Sequence, residues 1–252
     1  MLKDPKRILV INLRYIGDTI WIYPFIRNLK RNFPHAEIAA MVNEGCDVFL
    51  RLLPEVADVI ALPRKEIKGR FGIIKFIRFL IGIRRKQFDT VFVLANSDRP
   101  TIIAFVSGAK TRIGFGSGSW WRACLLTERL RWDQEKTPHM VEYYLQALAG
   151  AGLKIYDTRL TIDVPESAIR AITNRFDILK KKDRKTVIVH PGARMELRQW
   201  GAGRFAEVIN ALGEDYTVFL IGGPREEGVV RDVLKGLKRT PDIVSNEISL
   251  LE

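Results

Sequence analysis

The chain has 252 residues, 47% of them hydrophobic and 10% aromatic, which is enough for one large or two small domains with hydrophobic cores. Lys and Arg total 41 against 29 Asp and Glu, a formal charge of +12. This excess favours a polyanionic partner: a nucleic acid, a phosphorylated substrate or an anionic membrane. The sequence shows no zinc-finger spacing and no RNA-recognition aromatic motif, and no apolar run reaches the roughly 18 residues of a membrane-spanning helix.

The two cysteines, Cys46 and Cys124, lie far apart and match no metal-binding spacing. They are predicted to be reduced core thiols. The N-terminus leads directly into a predicted strand, without an apolar signal region. Together these features predict a cytoplasmic protein.

The segment from Arg7 to Pro34 has the most informative pattern. Its apolar run Ile8–Ile11 predicts a strand buried on both faces, as in a parallel sheet. Apolar residues at helical spacing follow as far as Leu29, and Pro34 is expected to end that helix. Residues 12–18 are therefore predicted to form a loop at a strand's carboxyl end, where open α/β sheets bind ligands.

Three residues of this loop are candidates for function. Asp18 is either the N-cap of the helix or a general base, which the helix dipole would keep ionised and therefore weak. Arg14 is either a solvated cation or a clamp for an acidic substrate group. Gly17 would let another group approach the backbone closely.

The rest of the first half alternates predicted strands with predicted helices, which indicates a right-handed, doubly wound sheet. Asn96 follows the fourth strand and is expected at the same ligand-binding edge. The predicted strands cover residues 37–42, 56–62, 89–94, 110–114 and 159–164. The predicted helices cover residues 46–53, 71–85, 101–106 and 139–149, and the Gly-rich segment 114–121 is expected to be a mobile loop.

Residues 64–87 combine a nearly all-apolar helix with basic flanks that include Arg64 and Lys65. One interpretation is a crossover helix packed on the sheet, with its charges in water. The other is a helix at an anionic membrane surface, with its apolar face in the headgroup boundary.

A charged connector is expected near residues 165–185, after which a second series of strands and helices begins. A helix is predicted at 168–182. Strands are predicted at 186–190, at 216–221 and from 243 onward. Helices are predicted at 205–212 and 226–237, and residues 191–200 are expected to form a loop.

Two pieces of the sequence together carry a family resemblance. The first is RILVINLRYIGDTIWIYPFIRNLKRNFP; the second is VIVHPGARMELRQWGAGRFAEVINAL followed by TVFLIGGPREE. In this order they resemble the bacterial ADP-heptose:lipopolysaccharide heptosyltransferases, glycosyltransferase family 9. The resemblance extends over essentially the whole chain and includes PHMVEYYLQALAGAGLK.

The resemblance implies an α/β protein of the GT-B class, with two Rossmann-like domains built on parallel sheets. Residues 1–164 would bind the acceptor, the lipopolysaccharide inner core, at the cytoplasmic face of the inner membrane. Residues 186–252 would form part of the nucleotide-sugar-binding domain. The implied reaction is an inverting heptose transfer from ADP-heptose as donor substrate, without a cofactor or a required metal and without nucleic acid as a partner.

The same resemblance assigns roles to single residues. Asp18 matches the family's proposed catalytic base. Arg198 stands two residues before Trp200, where the family has a phosphate-contacting lysine, and its guanidinium fork also suits phosphate. Glu226 matches an acid that contacts the donor ribose. The backbone of Ala193 and Arg194 would line the diphosphate loop, and the residues expected to bind the acceptor are Arg14, Gly17, Arg64, Lys65 and Asn96.

One departure from the family pattern concerns the end of the sequence. The family's D-[ST]-G-x-x-H segment has no counterpart before Glu252. The second domain is therefore expected to be incomplete, as a fragment or a truncated gene product, and the chain on its own to be inactive or nearly so.

Three alternatives stay open from the sequence. The chain could be a family 9 transferase for another sugar. It could be a truncated, non-catalytic protein that binds anionic glycolipid. A nucleic-acid binder ranks last, because only the charge suggests it.

Overall fold

A computed structural model describes residues 2, 4–67, 71–116, 119–130, 139–177, 184–212, 215–223, 225–245 and 248. The chain divides into two compact units, Met1–Asp163 and Val164–Glu252. In each unit the described strands form a parallel sheet with helices in the connections. The predicted α/β class with parallel sheets is confirmed.

The first strand of the first unit, β1 (Arg7–Asn12), lies at the centre of its sheet. The chain therefore extends the sheet first on one side of β1 and then on the other. The strand order is β3-β2-β1-β4-β5-β6, where β1 is Arg7–Asn12, β2 Glu37–Asn43, β3 Asp58–Leu62, β4 Thr90–Val93, β5 Thr111–Phe115 and β6 Glu128–Leu130. All neighbouring pairs are parallel. The short strand β6 was not predicted.

Helices cover both faces of this sheet. They are α1 (Ile16–Trp21), α2 (Tyr23–Asn32), α3 (Asp47–Leu50), α4 (Arg64–Ile67), α5 (Gly72–Arg85), α6 (Asp98–Val106), α7 (Trp120–Leu125) and α8 (Met140–Gly150). Side chains of β1 alternate between two cores because successive residues of a strand point to opposite faces. Val10 packs in the core that includes α2 and α8, and Leu9 packs in the core that includes α5 and α6.

The first predicted helix is in fact two helices, α1 and α2, separated at Ile22. Pro24 has no N–H to donate to the carbonyl of Ile20, four residues earlier, so the helical hydrogen-bond ladder cannot continue through this point. The Ile22 N–H instead bonds to the Ile20 carbonyl. The presence of Pro24 in the sequence therefore predicts a break in the helix just before it.

Two further predictions for the first unit were wrong. The Gly-rich segment is not one loop, because Gly114 and Phe115 end β5 while Trp120 and Trp121 begin α7; residues 117–118 lie outside the described part. Residues 159–164 form no strand, although polar and apolar residues alternate there. This segment is held by side chains instead of a neighbouring strand, and Arg27 of α2 donates a hydrogen bond to Thr161.

Asn28 of α2 anchors the backbone just before that segment, at Tyr156 and Asp157. Its side chain is fully buried, and its Nδ2 donates to the Pro24 carbonyl (2.7 Å) and the Asp157 carbonyl (2.5 Å). Its Oδ1 accepts from the backbone N–H groups of Tyr156 (2.5 Å) and Asp157 (3.1 Å). One amide thus satisfies backbone groups of two segments more than 120 residues apart in sequence.

The described sheet of the second unit is smaller, with the order β7-β8-β9. The elements are α9 (Glu166–Arg175), β7 (Lys185–Val189), a 3₁₀ turn (Glu196–Arg198), α10 (Ala202–Leu212), β8 (Tyr216–Ile221), α11 (Glu227–Lys235) and β9 (Ile243–Ser245). The apolar residues of β7 are not all buried, since Ile188 is 65% exposed. Val187 and Val189 face α10 and α11, whereas Ile188 points to the opposite face. The helix predicted at 168–182 ends at Arg175, and residues 178–183 lie outside the described part.

We predict that Asn28→Ala destabilises the protein by about 2–4 kcal/mol, because it leaves several buried backbone groups without partners. The free energy of unfolding in urea measures this effect. The control is Asn32→Ala, which removes more exposed bonds to nearby backbone, at Lys154. We expect about 1 kcal/mol or less for the control, and equal losses in the two variants would contradict the anchoring role of Asn28.

Candidate active site

The candidate site of the first unit lies where the central strands end. In a parallel sheet all carboxyl ends lie along one edge, so the loops after β1, β2, β3 and β4 share that edge. α1 follows β1 after a three-residue loop and carries Asp18 in its first turn. Asn96 lies in the loop between β4 and α6, beside the loop after β1, because β4 pairs with β1.

Two buried asparagines fix the loop that leads to Asp18. Asn12 is the last residue of β1, and its Nδ2 donates to the backbone carbonyl of Asp18 at 2.9 Å. Asn43 is the last residue of β2, and its Nδ2 donates to the backbone carbonyl of Arg14 at 2.7 Å. Both side chains are at least 95% buried. The ends of two adjacent strands thereby determine the path of the loop.

The carboxylate of Asp18 is held by two side chains. The Tyr144 hydroxyl of α8 donates to Asp18 Oδ1 at 3.0 Å, and Arg14 Nη1 lies 3.6 Å from the same oxygen. The Asp18 side chain is 14% exposed, so it is shielded but still accessible. Both of these contacts use the same oxygen, Oδ1. The N-cap interpretation of Asp18 is wrong: Tyr15 occupies the N-cap, without a side-chain capping bond, and Asp18 is the third residue of α1.

Burial determines the protonation of the tyrosines next to Asp18. Burial raises the pKa of Tyr144 far above its ordinary value, and the Asp18 charge raises it further. Burial also raises the pKa of Tyr143 to about 12. Both phenols keep their protons at neutral pH, so Tyr144 is a permanent donor to the carboxylate.

The remaining residues predicted to bind the acceptor are more scattered. Gly17 is exposed in α1, and no described atom lies within 4 Å of the position that a Cβ would occupy. Arg64 and Lys65 are exposed in α4, which follows β3 at the same sheet edge, two strands away from β1. Burial raises the pKa of the Cys46 thiol, with Asp18 raising it and Arg64 lowering it as smaller contributions. Arg64 and Asp18 therefore both act electrostatically on one thiol near this edge.

In the second unit, the polar groups gather at the corresponding edge of the smaller sheet. Glu226 immediately precedes α11, and its Oε2 accepts from the Gly223 N–H at 2.7 Å. His190, directly after β7, places its Nε2 2.9 Å from the same oxygen. A Cβ at Gly192 would overlap the Glu226 carboxyl group. Glycine at this position therefore lets Glu226 lie between the loops that follow β7 and β8.

The other residues predicted to bind the donor lie in the loop 191–200. The carbonyl of Ala193 accepts from Gln199 Nε2 at 3.4 Å, and Arg198 ends the 3₁₀ turn with its backbone N–H bonded to the Met195 carbonyl. Arg194 and Arg198 are exposed, so they are accessible to a ligand. The structure thus brings Glu226 together with His190, while Arg194 and Arg198 project from the loop.

Sequence reasoning missed Tyr144, Asn12, Asn43 and His190. Three of these could have been found by position, because Asn12, Asn43 and His190 end or directly follow a strand at the ligand-binding edge. Tyr144 could have been suspected as a phenol on the apolar face of a helix, since a buried phenol needs a polar partner. His139, by contrast, has a structural role: it is the N-cap of α8, and its Nδ1 accepts from the Val141 N–H at 3.2 Å.

The cysteine prediction holds for one residue only. Cys46 is buried, but Cys124 is exposed in α7, and both are free thiols.

In the described part of the chain, no three His, Cys, Asp or Glu side chains group as metal ligands. The described helices also include none with both the length and the hydrophobicity to cross a bilayer.

Comparison with solved structures defines the fold class. The structure matches the crystal structure of the glycosyl transferase family 9 from Veillonella parvula DSM 2008 with a TM-score of 0.82 and 25% identity, over 98% of this chain and 70% of that chain. It also matches Escherichia coli heptosyltransferase WaaC with ADP-2-deoxy-2-fluoro heptose, with a TM-score of 0.72 and 17% identity, over 97% of this chain and 77% of that chain. The fold is that of the GT-B glycosyltransferases.

The sequence itself identifies the family. The profile of glycosyltransferase family 9 (heptosyltransferase) matches residues 76–252, so the chain belongs to this family and is a glycosyltransferase. Lipopolysaccharide heptosyltransferase 2 of Escherichia coli (strain K12) is 26% identical over 244 residues, which is 92% of this chain. The chain spans about two thirds (67%) of the length of that relative.

We predict that Gly192→Ala lowers the local stability around β8 by about 1–3 kcal/mol, because the added methyl group displaces Glu226 from Gly223 and His190. Amide hydrogen exchange of the β8 residues measures the change. Gly203→Ala in α10 is the matched control, since no described atom lies within 4 Å of its Cβ position. It should leave protection unchanged or slightly raised; equal losses would refute the packing argument.

Proposed function

We propose that the protein transfers heptose from ADP-heptose to the inner core of lipopolysaccharide, with inversion at the anomeric carbon. The observation that carries this proposal is the accessible Asp18 carboxylate at the carboxyl edge of the first sheet, oriented by Tyr144 and Arg14. Family membership and the named activities of the relatives support the choice of sugar and acceptor.

In the proposed reaction an acceptor hydroxyl attacks the anomeric carbon while the bond from that carbon to ADP breaks. A single displacement inverts the configuration. Asp18 Oδ2 takes the proton of the attacking hydroxyl, and ADP leaves with the electron pair of the broken bond. The hydroxyl proton becomes strongly acidic only late in the attack, so a weak carboxylate base suffices.

The second unit supplies groups suited to the nucleoside diphosphate. Arg198 is exposed on its turn and would neutralise negative charge as it builds on the leaving diphosphate. Backbone N–H groups of Ala193 and Arg194 would line the same phosphates. Glu226, fixed by Gly223 and His190, would accept a hydrogen bond from the ribose hydroxyls.

The first unit supplies the acceptor groups. Arg14, Arg64 and Lys65 provide cations for the anionic core of lipopolysaccharide, while Gly17 and Asn96 lie at the same sheet edge. The acceptor is anchored in a membrane, so we place the reaction at the cytoplasmic surface of the inner membrane. The reaction would need neither a resident cofactor nor a metal.

We predict that Asp18→Asn lowers kcat by roughly 10²–10⁴ while donor binding is kept, because the amide cannot accept the proton. Release of ADP, with a heptose-deficient lipopolysaccharide as acceptor, measures the rate. The variant is assayed in the chain extended with the D-[ST]-G-x-x-H segment of a family member, beside the 252-residue chain.

Asp47→Asn is the matched control for this substitution. Asp47 is also a carboxylate in the first turn of a helix at this sheet edge, and it pairs with Arg51 at 3.3 Å. Its replacement should change kcat by less than about threefold, in line with the small energies of exposed ion pairs. Near-normal turnover by Asp18→Asn would exclude Asp18 as the base.

We predict that Arg198→Ala weakens ADP binding by about tenfold or more, whereas Arg198→Lys retains much of the affinity because the charge is kept. Isothermal titration calorimetry on the extended chain gives both values. Arg231→Ala, which removes an exposed cation from α11, should bind ADP as the wild type does. The same Kd for wild type and Arg198→Ala would show that Arg198 does not contact the diphosphate.

A further inference from the structure

Helix α5 has an exposed apolar stripe on its outer side. Ile73, Ile74, Ile77 and Ile81 have exposed fractions between 47% and 78%. At 3.6 residues per turn these four positions fall within a sector of about 100°. Isolated exposed apolar residues are common on proteins, but four isoleucines in one stripe form a continuous apolar surface.

The opposite side of α5 already packs on the sheet. Ile83 is buried, and Phe76, Phe79 and Leu80 pack against the core that contains Leu9. The sequence left open whether the apolar residues of this helix are all core. They are not, because the inward side alone completes the core and the isoleucine stripe contributes nothing to it.

The third sector of α5 is basic. The helix contains no Asp or Glu, and three of its four cations, Lys75, Arg78 and Arg85, fall on this sector. The fourth, Arg84, lies in line with the stripe at the end of the helix, where its Nη1 donates to the Val106 carbonyl. Since successive helical residues are rotated by about 100°, Arg78 and Arg85 lie on the sector next to the stripe. Both are exposed. Lys75 pairs with Glu66 at 3.2 Å, so its charge is balanced. The net positive charge of this basic rim beside the stripe therefore comes from Arg78 and Arg85.

We propose that α5 binds the surface of an anionic lipid bilayer, with the isoleucine stripe in the headgroup boundary and Arg78 and Arg85 against lipid phosphates. The 14 residues of α5 extend about 21 Å, too short to cross a bilayer but suited to lying along it. An apolar stripe bordered by cations is the pattern of interfacial helices.

The charge of the chain argues against a second copy as the occupant. A symmetric contact through α5 would bring basic rims together on two chains that each carry a formal charge of +12. A bilayer rich in phosphatidylglycerol offers negative charge and an apolar layer at the same place. This surface does not depend on the proposed transfer reaction, since neither Asp18 nor the donor residues take part.

Vesicle sedimentation of the 252-residue chain tests the proposal. Vesicles of phosphatidylglycerol and phosphatidylethanolamine are compared with phosphatidylcholine vesicles at low and high salt. We expect the wild type to bind the anionic vesicles at least tenfold more tightly at low salt, with part of this preference lost at high salt. Equal binding to both vesicle types, or no binding, would overturn the proposal.

Two variants with matched controls separate the stripe from the rim. Ile73→Gln/Ile77→Gln should lower binding about tenfold, whereas Ile169→Gln/Val208→Gln, which changes exposed apolar residues of α9 and α10, should not. Arg78→Gln/Arg85→Gln should lower binding and flatten its salt dependence more than Arg231→Gln/Lys238→Gln, which removes the same charge from exposed positions elsewhere. Circular dichroism checks the fold of each variant.

Two outcomes would assign the stripe to another occupant. If each control lowers binding as much as its test variant, binding is unspecific adsorption of a basic protein and the proposal fails. If the wild type without lipid sediments as a dimer that Ile73→Gln/Ile77→Gln dissociates, the stripe is an interface between copies, and the lipid proposal is equally refuted.

Discussion

The position of Asp18 depends on two buried asparagine side chains that donate hydrogen bonds to backbone carbonyls around it. A loop at the edge of a parallel sheet has few partners for its polar groups, and each unpaired buried group costs about 1–3 kcal/mol. Asn12 and Asn43 satisfy carbonyls at both ends of the segment 14–18 from the rigid ends of β1 and β2. Tyr144 then fixes the side chain. The carboxylate is therefore positioned by three elements, none of which is the helix that carries it.

The sequence predicted most of the first sheet because its strands have strong local signals. Residue type alone predicts the apolar runs of β1 and β2, because parallel strands are buried on both faces. In the second sheet it also predicts the exact span of β8. The predictions failed where a distant partner decides the structure. Residues 159–164 alternate like a strand, but they join no described strand. The guanidinium of Arg27 bonds to Thr161 instead, and the amide of Asn28 holds Tyr156 and Asp157 just before this stretch.

The same distinction applies to the candidate site. Asp18, Arg14, Glu226 and Arg198 are predicted from their positions after strands and from the family resemblance, which both depend on order in the sequence. Tyr144 lies 126 residues from Asp18, and the local pattern around it predicts only a helix. The pattern around His190 predicts only the end of a strand, although its imidazole contacts the Glu226 carboxylate. Contacts between remote residues carry no local signal, so their roles emerge only from the folded chain.

Helix α5 illustrates why hydrophobicity alone could not separate core from contact surface. A helix that is apolar nearly all round is usually buried. Here the sheet accepts only one sector, because a crossover helix on an open sheet touches its strands along one side. The outer isoleucines consequently remain in water at a cost of about 25 cal/mol for each Å² of apolar surface left exposed. The basic residues beside them give that surface a preferred orientation towards negative charge, and this combination makes a lipid surface a better complement than another basic chain.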